Sequence, residues 1–92
     1  MSTPATTATA LVTVRYFAAA RAAAGVDTEP LGVPGGGSVA DLLESLRARH
    51  GAEFARVLER CSFLLDEVAV RDRTIPLPDG ATLDVLPPFA GG

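Results

Sequence analysis

Ser38-Val39-Ala40-Asp41-Leu42-Leu43-Glu44-Ser45-Leu46-Arg47-Ala48-Arg49-His50-Gly51 is the stretch on which the fold turns. Ser38 is a favoured N-cap. Asp41, three residues on, is an acidic variant of the capping box and also suits the positive end of the helix dipole. Val39, Leu42, Leu43 and Leu46 fall at i, i+3, i+4 and i+7, one apolar stripe. Arg47, Arg49 and His50 gather near the C-terminal end, where cations suit the dipole, and Gly51 stops the helix. The spacing predicts one well-made amphipathic helix in the middle of the chain.

Working outward, both flanks read as extended chain. Upstream, Ala10, Val12, Val14 and Tyr16 alternate with Leu11, Thr13, Arg15 and Phe17, the period of a strand. Ala18 to Ala24 predicts a short helical turn capped by Gly25. Thr28 to Val33 is a second strand, held to a sheet edge by Pro30 and Gly32, and Pro34-Gly35-Gly36-Gly37 is a loop. Downstream, Phe54, Val57, Leu58 and Cys61 repeat the helical spacing in a shorter helix. Glu53, Arg56, Glu59 and Arg60 take its wet side. Phe63-Leu64-Leu65 and Val68-Ala69-Val70 flank Asp66-Glu67 as a hairpin, although a type I′ turn prefers Gly at the second position. Pro76 and Pro78 exclude a central strand between them, and Asp79-Gly80 is a turn. Thr82 to Leu86 alternates as a last strand, with Leu83 and Val85 on one face and Asp84 on the other.

One main helix between two strand-rich halves predicts an α+β fold of the β-grasp (ubiquitin-like) type. A mixed sheet would pack on that helix plus a shorter one; the β-grasp arrangement, rather than the pattern itself, implies that the first and last strands pair in parallel at its centre. The expected organisation is a body over 9–86, preceded by an arm at 1–8 and followed by a tail at 87–92. The arm is Ser, Thr, Pro and Ala with nothing to bury, so it is expected to be disordered. The tail is expected to be flexible.

Length and charge narrow the function. A chain of 92 residues has no room for a doubly wound nucleotide enzyme or a barrel. At 48% apolar and 21% charged residues it has a globular balance. Eight arginines against eleven acids, with no lysine, leave a net charge of −3. No basic stripe suits nucleic acid, and no lysine is present for Schiff-base chemistry or to accept an amide ligation. The single cysteine, Cys61, forms no internal disulfide and no cysteine-rich zinc site. Neither a signal peptide nor an apolar run near the roughly 20 residues of a membrane span is evident. A cytoplasmic protein with no nucleic-acid or membrane partner is expected.

The ending Pro87-Pro88-Phe89-Ala90-Gly91-Gly92 stands apart. Two prolines stiffen the exit from the last strand, and Phe89 has no regular element to bury it. Two glycines make a thread without side chains. From Pro88 to Gly92 this tail reaches on the order of 15 Å, enough to enter a narrow channel. Glycine lets an enzyme approach the α-carboxylate closely. Composition alone supports two readings equally: a reacting carboxylate, or a frayed end.

With the Asp79-Gly80 turn and the strand that follows it, this ending resembles that of the small, sulfur-carrying subunits of molybdopterin synthase, a ubiquitin-like family. Val12-Thr13-Val14-Arg15-Tyr16-Phe17-Ala18, then Arg21 and Gly25, is similar to that family's first strand. Ser38-Val39-Ala40-Asp41-Leu42-Leu43 is similar to its helix start. The resemblance spans about 10–92, and the Pro-Pro-x-x-Gly-Gly ending is its specific part. Three features depart from it: Asp66 at a hairpin turn that commonly carries Asn, the absence of lysine, and the extra residues 1–8.

The resemblance implies a β-grasp fold and a subunit that is not catalytic alone. An ATP-dependent adenylyltransferase/sulfurtransferase would adenylate the Gly92 carboxylate and convert it to a thiocarboxylate. The tail would then enter the large subunit of a heterotetrameric synthase and give sulfur to the cyclic pyranopterin precursor of the molybdenum cofactor. Pro87, Pro88, Phe89, Ala90 and Gly91 would bind and guide the tail in its partners. No cofactor would be held permanently, and ATP would serve only the activating enzyme. The alternatives are a sulfur carrier for thiamine thiazole or cysteine synthesis, a ubiquitin-like protein modifier, and a non-covalent binding module.

Other motifs read more simply as structure. Gly35-x-Gly37-x-x-Ala40 formally fits a dinucleotide fingerprint but lacks the βαβ setting it needs. Cys61 with His50 could make a nucleophile–base pair, yet Cys61 lies on an apolar stripe and His50 at a helix end. Asp66, Glu67 and Asp72 read as solvated carboxylates rather than metal ligands. Leu11, Phe17 and Leu86 would form an apolar docking patch if the uncovered sheet face carries them.

Overall fold

A computed structural model describes residues 9–35 and 37–88. The expected arm at 1–8 and the end of the tail at 89–92 lie outside the described residues. In chain order the elements are β1 (Thr9–Tyr16), α1 (Ala18–Ala24), β2 (Thr28–Pro34), α2 (Val39–His50), α3 (Ala52–Leu58), β3 (Ser62–Leu65), β4 (Val68–Ala69) and β5 (Thr82–Leu86). The strands form one mixed sheet in the order β2-β1-β5-β3-β4. β1 and β5 run parallel at its centre, as the β-grasp arrangement requires, with Val14 opposite Leu83 and Arg15 opposite Asp84.

The middle helix forms for the reasons its sequence gives. Ser38 Oγ accepts from the Asp41 backbone N–H, and the Asp41 carboxylate accepts from the Ser38 N–H, a complete capping box. The loop after β4 meets the next two amides: Val39 N–H donates to the Ile75 carbonyl and Ala40 N–H to that of Arg73. Val39, Leu42, Leu43 and Leu46 are all buried. Each such side chain contributes on the order of 1.5–3 kcal/mol through the apolar surface it removes from water. They pack with Val12, Val14, Phe63, Leu83 and Val85 from the sheet and with Phe54 and Leu58 from α3.

Two turns set neighbouring strands beside one another. Asp79 accepts the Leu11 N–H at 2.8 Å, and Gly80 N–H donates to the Leu11 carbonyl. Gly80 has φ +86, a left-handed value that glycine adopts freely. This clamp brings β5 up beside β1. Between β3 and β4, Asp66 and Glu67 both have positive φ, 49 and 72 degrees. That is the I′-like backbone, built without the preferred glycine.

Some boundaries differ from the sequence reading. α3 stops at Leu58, and Cys61 lies beyond it, its thiol donating to the Val57 carbonyl at 3.3 Å. β4 is only two residues long. The glycine loop before α2 follows an antiparallel edge strand, so the dinucleotide reading has no βαβ unit to stand on. Gly37 has a packing reason: a Cβ there would lie 2.5 Å from Val33 Cγ1.

Candidate functional site

The helices cover one face of the sheet and leave the other uncovered. The register sorts the residues. On β1, Leu11, Thr13 and Arg15 face outward and Val12, Val14 and Tyr16 inward. On β5, Asp84 pairs with Arg15 on one side and with Leu64 of β3 on the other. Leu11 is 53% exposed and Phe17 38%, while Leu86 is half-buried. The apolar residues expected to mark a docking face are therefore on the free side, with Leu86 partly covered. Val26 and Val68 add exposed apolar side chains that the sequence reading did not single out.

Two parallel strands end together, and this sets where the tail leaves. Phe17 N–H donates to the Val85 carbonyl at 3.2 Å. The chain passes from Leu86 to Pro87, half-buried, and Pro88, exposed. Phe17 and the start of α1 thus flank the exit. Phe89, Ala90, Gly91 and Gly92, the other expected site residues, lie outside the described residues.

Arg15 and Asp84 form the polar centre of the free face. Arg15 Nε and Nη2 donate to the two carboxylate oxygens at 2.6 and 2.9 Å, a bidentate grip. Hydrogen bonding to Asp84, together with its charge, raises the Arg15 pKa above its ordinary value. The guanidinium also lies 5.8 Å from the Phe17 ring centroid. A notch of about 300 Å³ opens here, lined by Arg15, Asp66, Glu67, Thr82 and Asp84.

A second polar cluster lies on the helix side, and it changes the reading of His50. Instead of simply ending a helix, His50 packs against Phe54 and, with Tyr16 and Arg49, hydrogen-bonds the buried Glu29 carboxylate. Burial works against the charged form of Glu29. The hydrogen bonds from Tyr16 and His50 and the charges of His50 and Arg49 outweigh it, so the pKa lies below the usual range. Burial first, then the bond to Glu29 and its charge, pushes the Tyr16 phenol far up. Sequence reasoning missed Glu29, although a signal existed: it shares the inward phase of β2 with Val33, where a charge needs partners.

The structure brings Cys61 and His50 into no common site. Burial raises the Cys61 thiol pKa, the opposite of what a nucleophile needs. Among the described residues, no group of three or more His, Cys, Asp or Glu is placed to hold a metal ion. Among them too, no helix is long and apolar enough to cross a membrane.

A mixed five-stranded sheet wrapped on one main helix, with its first and last strands parallel at the centre, defines a ubiquitin-like β-grasp protein. Residues 14–92 match the ThiS family, and the chain belongs to it. It is 34% identical, over 88% of its length and 98% of the relative's, to a molybdopterin synthase sulfur carrier subunit of Chlamydomonas reinhardtii. A Pyrococcus furiosus protein described as molybdopterin converting factor, subunit 1, superposes with a TM-score of 0.79 at 31% identity. That match covers 87% of this chain and 99% of the other. The small archaeal modifier protein 1 of Methanosarcina acetivorans superposes at 0.74 with 27% identity, over 92% of this chain and 99% of that one.

Proposed function

We propose that this chain is the sulfur carrier subunit of a molybdopterin synthase. The observation that carries the reading is the 34% identity to a molybdopterin synthase sulfur carrier subunit, which the match covers to 98% of its length. The ThiS family match, which runs to residue 92 and so includes the Gly-Gly ending, supports a carrier role. In this reading the Gly92 carboxylate attacks the α-phosphate of ATP on an activating enzyme, and pyrophosphate leaves. Adenylation is needed because a free carboxylate is a poor electrophile. Sulfide-level sulfur, delivered as hydrosulfide, then attacks the acyl carbon, AMP leaves, and a thiocarboxylate remains. The large subunit receives the tail, the thiocarboxylate sulfur bonds to a carbon of the cyclic pyranopterin precursor as an oxygen substituent leaves, and water then cleaves the acyl–sulfur bond, leaving the sulfur on the precursor and returning the Gly92 carboxylate. This chain supplies the nucleophile, and the pocket with its acids and bases belongs to the large subunit.

Pro87 and Pro88 stiffen the exit so that the tail leaves the sheet in a restricted range of directions. Phe89 and Ala90 supply the side chains a channel wall would hold, and Gly91 passes where a side chain would not. A protein-modifier role is the second reading, favoured by the likeness to a small archaeal modifier protein. It uses the same activated Gly92 but ends in an amide bond to another protein.

Intact mass spectrometry tests the assignment. After incubation with a ThiS-family activating enzyme, ATP and a sulfur source, the chain should gain the mass of one sulfur replacing one oxygen, located at Gly92. A chain lacking Gly92 should gain nothing and melt within about 1 °C of the full chain, since deleting one terminal glycine removes no side chain and chain ends tolerate such changes. No mass change in the full chain with a competent activating enzyme would rule the carrier out. Conjugates to other proteins in place of sulfur would favour the modifier.

A further inference from the structure

Four residues separate Pro88 from the end of the Gly-Gly thread. At extended-chain spacing, the Gly92 carboxylate lies within about 15 Å of Pro88. A protein that takes the tail into its active site therefore abuts the domain around the end of β5. The free face begins there, with Phe17, Leu86 and Leu64 around the paired Arg15 and Asp84.

The pair is unequally covered. The Asp84 side chain is 7% exposed and that of Arg15 45%. Nε and Nη2 are engaged with Asp84, while among the described residues no acceptor meets Arg15 Nη1. At that exposure the donor is open to solvent in the free protein. A protein covering the face removes the water, and a charged donor left without an acceptor carries a large desolvation cost. A fitting partner must therefore place an oxygen there. Asp66 and Glu67 line the same notch and oppose an incoming carboxylate. A neutral acceptor fits: a backbone carbonyl, or a side-chain amide or hydroxyl oxygen.

We propose that the Arg15–Asp84 pair is a specificity-determining element of the docking face. It admits a partner that presents a neutral oxygen to Arg15 Nη1 and rejects one that is apolar at that point. The proposal rests on the sulfur-carrier reading, with the large subunit of molybdopterin synthase as the occupant. Phe17 supports the guanidinium from the tail side, so the free donor is held in one place before the partner arrives.

The test is the affinity of the full chain for the large subunit of the same organism's synthase, measured by titration calorimetry. Wild type is compared with the double variant Arg15→Leu, Asp84→Leu. Removing both charges leaves no buried ion unpaired, so the melting temperature should stay near that of wild type. Affinity should fall at least about tenfold, because the partner's oxygen then faces leucine. Equal or tighter binding by the double variant overturns the proposal. If that variant does not fold, dicarbonyl labelling of wild type, mapped by peptide mass spectrometry, decides. Complex formation should protect Arg15 while exposed Arg56 and Arg60 react as before. Equal reaction of Arg15 in the free and bound chain overturns the proposal. A wild-type chain that neither gains sulfur nor binds the large subunit overturns the carrier reading and this proposal with it. That result is distinct from wild type and variant binding alike.

Discussion

Arg15 and Tyr16 are neighbours on one strand, and each is tied to a carboxylate from another strand. Tyr16 points to the helix side, where Glu29 is closed in by Tyr16, Arg49 and His50. Arg15 points to the free side, where Asp84 is matched but the guanidinium keeps an open donor edge. The first cluster joins β1, β2 and the end of α2 and is a structural bolt. The second joins only the two central strands and leaves hydrogen-bonding capacity facing outward. The same kind of charge pairing serves cohesion where it is sealed and recognition where it is half open. Burial decides which.

The largest expected break in this comparison is at Glu29. Glu29→Ala leaves a buried phenol and imidazole without their acceptor and should lower unfolding stability by about 2–4 kcal/mol. Chemical denaturation measures it, and a loss below about 0.5 kcal/mol, the size of an ordinary surface substitution, would mean the cluster is not a bolt.

A smaller effect appears with pH. The Glu29 carboxyl is held below its ordinary 4.5 in the folded chain, so the unfolded chain binds more protons as the solution is acidified. The contribution is complete above the unfolded value and is lost as pH falls through the depressed folded value. Wild type should therefore lose melting temperature on acidification more steeply than Glu29→Gln, read by scanning calorimetry. Parallel curves would place the acid sensitivity elsewhere.

The smallest effect is on the free side. Glu67→Gly relieves a positive-φ residue in the β3–β4 turn and should stabilise by about 0.5–1 kcal/mol. Its melting temperature should rise, and a fall would show that the Glu67 side chain contributes something glycine cannot replace.

Much of the fold was legible because local signals agreed. Ser38 and Asp41 announce a helix start by a bond that needs only four consecutive residues. Ala10 to Phe17 alternate at a period that only a strand accommodates, and Asp79-Gly80 marks a turn by its own backbone preference. Glu29 and His50 were harder. They are 21 residues apart and meet only after α2 packs on the sheet face to which β2 turns Glu29. A helix-end histidine has an adequate local explanation, so nothing in its neighbourhood points to a distant carboxylate. The Arg15–Asp84 pair, 69 residues apart, depends on the parallel register of the outermost strands of the chain.

The sequence by itself determined the α+β pattern, the capped central helix, the edge character of β2 and the Gly-Gly ending. These rest on φ preferences, caps and hydrophobic period, which act over a few residues. Tertiary structure alone decided which charges are sealed and which are open. Burial is a property of the assembled layers, and the cost of a charge depends on the water that those layers exclude.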